Sequence, residues 1–335
     1  MARNAGAVVG VAVGVAAGVG TSGVEAAGAL VDGRPVDGAA RGALGPHAAR
    51  PIVTAANPAS RRVALRATMS IFTASDPRRA RIIAELRAAG CVFAEDEADL
   101  LITAALRPDE LTAMVARRVG GEPIEHILGW VEFAGVRVSV GPGVFVPRRR
   151  TEYLVAEAVS RLPTGPAIAV DLCCGSGAIG LALASVSPGR LELHASDVDP
   201  VAVACARRNL AGVGGQVHEG DLYSALPARL RGRVTVLVAN VPYVPTDAMA
   251  LLPSEARLHE PRAALDGGRD GLDVFRRVAT GAADWLTPGG HLLVEVGEEQ
   301  ASSAVAALAT AGLAARVARS DEYAATVVIG TRLTR

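Results

Sequence analysis

Short apolar runs, each followed by a stretch of helical character, recur along the second half of this 335-residue chain. The runs lie near 167–171, 191–196, 215–218, 234–239 and 291–296, and a terminal pair lies near 314–319 and 324–331. This alternation predicts a doubly wound α/β domain with a mostly parallel sheet, in which the terminal hairpin adds one antiparallel strand. Ligands bind such open sheets at the carboxyl ends of the strands, so the residues that follow each run are the functional candidates.

The run at 234–239 is followed by Asn240-Val241-Pro242-Tyr243, a turn that suits a planar NH2 group. The Asn240 side-chain oxygen and the Val241 carbonyl can each accept one N–H, and the Tyr243 ring can stack on the plane of the group. Pro242 restricts Val241 to an extended conformation, which aims that carbonyl. We therefore predict that these four residues are catalytic. Taken alone, the same letters also describe an ordinary polar turn with a packed ring.

A second group of residues lies upstream, where the chain at 170–180 turns from a strand through glycines into a helix. Such a loop lets a ligand approach the backbone and the free N–H groups of the helix. Asp197 ends the next run, about 20 residues later, where a ribose hydroxyl pair is held in nucleotide sites. The predicted donor-binding residues are Asp171, Cys173, Gly175, Ser176, Gly177, Asp197, Asp221, Leu222 and Asn240.

The type of ligand follows from what the loop lacks. The sequence contains no lysine, which excludes a P-loop for nucleoside triphosphates. The loop also lacks the GxGxxG order of dinucleotide sites, and a dinucleotide would leave the Asn240 turn without a role. S-adenosyl-L-methionine therefore fits the two groups of residues better than a dinucleotide.

Together with other segments, these motifs resemble the protein-(glutamine-N5) methyltransferases. The segments are 144–148 with Thr151-Glu152, 171–180, 197–200, 240–243, and 260–268 with 270–272. The resemblance implies an α/β class I S-adenosyl-L-methionine-dependent methyltransferase, Rossmann-like, with a mostly parallel seven-stranded sheet and a small N-terminal helical domain. It also implies N5-methylation of a glutamine side-chain amide in a protein, such as the GGQ glutamine of peptide chain release factors.

Some residues depart from the family pattern. Cys173 stands where glycine is usual, Val241 replaces a proline, and Arg149 and Arg150 replace a proline and an aspartate. We therefore expect a divergent branch of the family. We expect these departures to bear on the identity of the substrate more than on the reaction.

The chain is expected to divide into four parts. Residues 1–68, rich in Ala, Gly, Val and Arg, are read as a disordered leader or as sequence upstream of a true start at Met69. Residues 69–125 form a small helical substrate-docking domain, 126–147 a β-hairpin connector, and 148–335 the methyltransferase domain. The predicted helices run from Ser75 to a stop at Gly90, from Glu95 to Leu106 and from Pro108 to Val119, and the hairpin strands from Ile127 to Phe133 and from Val136 to Val140.

Charge and composition narrow the partners. The formal net charge is +0, which favours a protein or small-molecule substrate over nucleic acid, and no membrane partner is expected. The 4 cysteines form no framework, which favours a reduced cytoplasmic setting, and the 6 histidines lack ligand spacing, so we expect no metal. Two alternatives stay open: an N6-adenine or N4-cytosine nucleic-acid methyltransferase, and a non-catalytic donor-binding protein.

Overall fold

A computed structural model of the protein describes residues 77–187 and 189–334, so the expectations for residues 1–68, Met69 and Ser75 lie outside it. The first helices are α1 Pro77–Ala88, α2 Ala94–Ala104 and α3 Pro108–Val119. They share a core that includes Leu86, Leu101 and Met114. Helix α2 ends before the predicted Leu106 because the chain must extend at Arg107, the residue before Pro108.

The connector begins with a helix, so the predicted strand from Ile127 to Phe133 is wrong in its first half. The Pro123 carbonyl accepts the N–H of Ile127, and Ile127 packs into the core of the preceding helices. Gly129, at φ 81°, ends this helix. The elements are α4 Ile124–Leu128, β1 Trp130–Phe133 and β2 Val136–Ser139. An apolar run this short has no period that separates a helix from a strand.

The seven-stranded sheet predicted for the second half of the chain is confirmed within the described residues. Its strands are β3 Ala167–Leu172, β4 Leu191–Asp197, β5 Gln216–Glu219, β6 Val234–Ala239, β7 Leu286–Val296, β8 Leu313–Ser320 and β9 Ala325–Arg332. They are ordered β5-β4-β3-β6-β7-β9-β8, and β9 runs antiparallel to both of its neighbours. The order reverses at β3 and β6, which places a crevice between the carboxyl ends of those two strands.

Helices cover both faces of the sheet. They are α5 Thr151–Val159, α6 Ala178–Val186, α7 Pro200–Leu210, α9 Asp273–Trp285 and α10 Ala301–Thr310, whereas α8 Ser254–His259 lies at the carboxyl edge of the sheet. Side chains of α5, α6 and α7 pack with Ala169 and Val238 on one face, and those of α9 and α10 with Val170 and Leu237 on the other. Successive strand residues thus serve opposite cores, as expected for a buried parallel strand. Within the described ranges, no helix has the length and hydropathy to cross a bilayer.

Helix α3 also contacts helix α8. Arg118 of α3 is largely buried and binds both oxygens of Glu97, at 2.7 and 3.0 Å. Its remaining nitrogen reaches Glu255 of α8 at 3.3 Å. The four-part division of the chain stays our proposal.

Candidate active site

A cavity of about 830 Å³ opens at the carboxyl edge of the sheet, beside the ends of β3, β4 and β6. Both predicted groups of residues meet there. The predicted site residues that line it are Cys173, Gly175, Ser176, Asp197, Asp221, Leu222, Asn240, Val241, Pro242 and Tyr243. Asp171 and Gly177 do not line it.

One wall is the loop between β3 and α6, which turns through left-handed residues. Cys173, Gly175 and Gly177 have φ values of 53°, 53° and 77°. Asp197 fastens this loop, since its Oδ2 accepts the Gly175 N–H at 2.8 Å while its Oδ1 accepts the Asp199 N–H at 3.0 Å. Burial raises the pKa of Asp197. No described atom lies within 4 Å of where a Gly175 Cβ would sit, so the loop backbone is open to a ligand.

Asp171 and Gly177 support that loop from behind. The Asp171 side chain is fully buried, and its Oδ2 accepts the N–H of Gly180 in α6 at 2.9 Å. Its Oδ1 has no partner in the described part of the chain, and burial raises the pKa of Asp171 to about 7. A Cβ at Gly177 would lie 3.2 Å from both the Ala206 and Leu210 side chains of α7. A direct contact of either residue with the donor stays a prediction.

Another part of the cavity wall is formed by Asp221 and Leu222, which are among the predicted donor-binding residues. Leu222 is buried and also left-handed, at φ 47°. Asp221 is exposed and forms an ion pair with Arg277 of α9. This wall therefore offers an apolar surface next to a polar rim.

The Asn240 turn carries the least satisfied polar group of the cavity. Asn240 Nδ2 donates to Thr151 Oγ1 at 3.5 Å, whereas Asn240 Oδ1 is buried without a hydrogen-bond partner among the described residues. Leaving a buried oxygen unpaired costs free energy, which a ligand N–H would recover. Because this oxygen is almost fully covered, the side chains around it must shift slightly to admit the N–H group of a ligand. The Val241 side chain packs into the core, so this residue offers the cavity mainly backbone.

The back of the turn is pressed against the segment 266–271. A Cβ on Gly267 would lie 2.6 Å from the Pro242 carbonyl oxygen, and one on Gly271 would overlap the Tyr243 carbonyl oxygen. The Tyr243 carbonyl also accepts Gln300 Nε2 at 2.9 Å. The glycines of this block therefore have a physical role that the sequence did not show, which is to let two backbones touch behind the turn.

The segment 144–151, called the covering segment below, also lines the cavity. Glu260 is buried and accepts the Val146 N–H at 3.1 Å and Arg148 Nη2 at 2.6 Å. Burial raises the pKa of Glu260, and Arg148 opposes that effect. This carboxylate therefore ties the covering segment to the block that begins at Glu260.

Three residues that are not among the predicted site residues also lie beside the turn. Arg150 Nε lies 2.9 Å from Glu295 Oε1, and its guanidinium sits 5.1 Å from the centre of the Tyr243 ring. Thr151 is buried between Glu295 and Asn240. The signal available in the sequence was Glu295, an acid within the apolar run 292–296 near the end of β7.

Comparison with known proteins is consistent with this geometry. Residues 137–266 match the family model described as methyltransferase small domain. A release factor glutamine methyltransferase from Geobacter sulfurreducens is 39% identical over 233 residues, which cover 68% of this chain and 80% of that protein. A 4-amino-L-phenylalanine/4-methylamino-L-phenylalanine methyltransferase from Streptomyces pristinaespiralis is 35% identical over 233 residues, covering 68% and 78%. A solved methyltransferase from Pyrococcus furiosus gives a TM-score of 0.45 at 15% identity, covering 60% of this chain and 90% of that one.

The strand order, with its single antiparallel strand, is that of the α/β class I methyltransferases, as predicted. The cavity at the switch point is lined both by the glycine loop and by the turn at 240–243. The relative from Geobacter sulfurreducens matches over most of its own length. The chain therefore belongs to the release factor glutamine methyltransferase family.

Proposed function

We propose that this protein transfers a methyl group to the side-chain amide nitrogen of a glutamine in a peptide chain release factor, namely the GGQ glutamine. The observation that carries the proposal is the buried, unpaired Oδ1 of Asn240 in the cavity wall. The name of the Geobacter sulfurreducens relative supports the substrate. Since release factors act in translation, we place the reaction in the cytoplasm.

The cofactor is S-adenosyl-L-methionine, which supplies an electrophilic methyl group when it is bound. The residues present fit it. The loop at Gly175 has open space beside its backbone, Asp197 keeps lone pairs free for ribose hydroxyls, and Leu222 offers an apolar surface to a base.

An amide nitrogen is a poor nucleophile because its lone pair is delocalised into the carbonyl group, so positioning must do most of the work. Asn240 Oδ1 and the Val241 carbonyl would each accept one N–H of the glutamine amide and fix its plane. The Tyr243 ring would cover that plane and keep water out. Fixed dipoles and a fixed orientation are a sufficient basis for catalysis in such a site. The nitrogen becomes acidic on methylation and can then release its proton without a strong base.

A second candidate is the methylation of a small aromatic amine. The Streptomyces pristinaespiralis relative, whose name gives 4-amino-L-phenylalanine as substrate, is nearly as similar to this chain as the release factor enzyme. An aromatic NH2 group is also planar and could use the same two acceptors. The balanced net charge argues against a nucleic-acid substrate, whose binding needs basic surface.

The test is mass spectrometry after incubation of the protein with S-adenosyl-L-methionine and either the release factors of the same organism or 4-amino-L-phenylalanine. Asn240→Ala serves as the control, and donor binding is measured in parallel by calorimetry. We expect a single added methyl on the GGQ glutamine, absent in the control. Methylation of the amino acid alone would replace the proposed substrate with the aromatic amine. Donor binding without transfer to either acceptor would refute both assignments.

A further inference from the structure

Glu295, at the end of β7, is a buried carboxylate that its surroundings only partly satisfy. The residue is 2% exposed. Its Oε1 pairs with Arg150 Nε at 2.9 Å, while its Oε2 has no hydrogen-bond partner in the described ranges. A carboxylate in such a place costs stability unless it is fully paired. Its presence next to the catalytic turn calls for a functional account.

Thr151 connects this carboxylate to the turn. Thr151 directly follows Arg150, whose Nε lies 2.9 Å from Glu295 Oε1, and both Thr151 and Glu295 are buried there. The Thr151 hydroxyl lowers the pKa of the Glu295 carboxyl, against the larger effect of burial, which raises it. On its other side, Thr151 Oγ1 is 3.5 Å from Asn240 Nδ2. Thr151 is 2% exposed, so water does not compete for its hydroxyl.

The chemistry of Glu295, Thr151 and Asn240 fixes the direction of the hydrogen bonds that can connect their side chains. An ionised carboxylate only accepts hydrogen bonds, so the Thr151 hydroxyl must donate to Glu295 if it bonds there. The Thr151 oxygen then presents lone pairs to Asn240, which only the NH2 end of the amide can use. The oxygen end of Asn240 is thereby turned away from Thr151 and kept for the acceptor. Without this neighbour, the two ends of the amide could exchange by a half-turn.

Arg150 extends the same cluster to the aromatic residue of the turn. Its guanidinium, held by Glu295, lies 5.1 Å from the centre of the Tyr243 ring. A cation at this distance over a ring is attracted to it. Glu295 therefore pairs with Arg150, which lies over the Tyr243 ring, and neighbours Thr151, which contacts Asn240.

We propose that Glu295 and Thr151 are positioning residues for methyl transfer, which hold the Asn240 amide with its oxygen toward the methyl acceptor. The inference rests on the proposed function of the site. It gives each residue a distinct part: Glu295 sets the polarity of the Thr151 hydroxyl, and Thr151 sets the orientation of Asn240.

A double-mutant cycle tests the proposal. Glu295→Gln and Thr151→Val are each measured alone and combined with Asn240→Ala, with Thr151→Ser as the conservative variant. We expect each single change to lower kcat by about tenfold, the value of one ordinary hydrogen bond, with donor affinity retained. In the Asn240→Ala background the same changes should alter kcat by less than about twofold, because coupled residues are not additive. Thr151→Ser should keep most of the activity.

Additive losses in the cycle would show that the two residues act independently of Asn240 and would overturn the proposal. Thermal unfolding of each variant identifies losses that come from misfolding. Thr151→Val, nearly isosteric, provides the test if Glu295→Gln does not fold.

A measurement without substrate separates this inference from the proposed function. The side-chain NH2 signals of Asn240 are identified in nitrogen–proton spectra of the donor-loaded protein by their loss in Asn240→Ala. We expect them to shift in both Thr151→Val and Glu295→Gln. Unchanged signals in both variants would refute the positioning role. If the unaltered protein methylates no release factor, the proposed function fails, while the spectra still decide the inference.

Discussion

Single residues in this protein carry unpaired polar atoms and strained backbone at the places where ligands are expected. Asn240 is the clearest case, since its Oδ1 is buried without a partner in the described part of the chain. Cys173 and Leu222 adopt left-handed conformations on two walls of the same cavity. Such features cost folding free energy and are concentrated at functional sites in proteins.

For Asn240→Ala, we expect kcat to fall by about two orders of magnitude, the usual effect of removing one preorganised dipole of about 3 kcal/mol. The dissociation constant of S-adenosyl-L-methionine should change by less than about threefold, because truncation leaves the glycine loop intact. Steady-state kinetics and calorimetry check the two values. Turnover close to that of the unaltered protein would remove Asn240 from the catalytic role.

Substitutions at Cys173 test the backbone strain in the loop between β3 and α6. Its φ of 53° suits glycine, whereas a side chain branched at Cβ is disfavoured there. We expect Cys173→Val to lower the free energy of unfolding by about 2 kcal/mol, from the left-handed strain of a branched residue and from overpacking. Cys173→Gly should be near neutral, because relief of strain offsets the loss of a packed side chain. Denaturant unfolding measures both, and equal losses for valine and glycine would show that backbone strain is not the cause.

Among the elements, the segment 266–271 behind the turn sets the strictest limit on side-chain size. Gly271→Ala adds a methyl group that overlaps the Tyr243 carbonyl, so the turn must move. Gly214→Ala is the matched control, since Gly214 has a similar φ of 72° and no described atom within 4 Å of the added Cβ. We expect the control to cost about 1 kcal/mol from backbone strain alone and to keep its activity. Gly271→Ala should cost more and lower kcat at least tenfold, consistent with the sensitivity of catalysis to small displacements.

Equal effects of the two substitutions on stability and on kcat would show that the contact with Tyr243 does not matter. The comparison uses denaturant unfolding and methyl-transfer rates on the same preparations.

The sequence predicted the strands well because each is an apolar run bounded by turn residues, and it predicted the motif residues that are contiguous in the chain. It failed at Ile127, where a short apolar run fits both helix and strand. It also did not predict that Glu295 and Thr151 cluster with Asn240. Those residues come from three separate segments, and only the strand order brings them together.

The molecule as a whole contains buried carboxylates, and their titration should make its free energy of unfolding depend on pH. Burial raises the folded-state pKa of Asp171 to about 7, well above its ordinary value. The stability from this group is fully present below its unfolded pKa, near 3.9, and is lost as the pH rises through about 7. We expect Asp171→Asn to remove this pH dependence.

The measurement is the free energy of unfolding of both proteins between pH 5.5 and pH 8. Relative to the unaltered protein, the variant should gain stability as the pH rises toward about 7, and the difference should level off as the pH approaches 8. Glu260 and Glu295 also have raised pKa values, but they are present in both proteins and cancel in the difference. The charge of Asp197 contributes to the raised pKa of Asp171, so the difference reports on Asp171 together with that interaction. A difference that stays constant with pH would show that Asp171 is not the group that titrates.

The contact between Gly267, Gly271 and the back of the turn also limits how this enzyme can diverge. A backbone pressed against another backbone leaves no room for a new side chain on that side. Changes of substrate must therefore come from residues that face the cavity, such as Arg150 in the covering segment. Mutational libraries aimed at new acceptors should vary only the residues that face the cavity and keep the two glycines fixed.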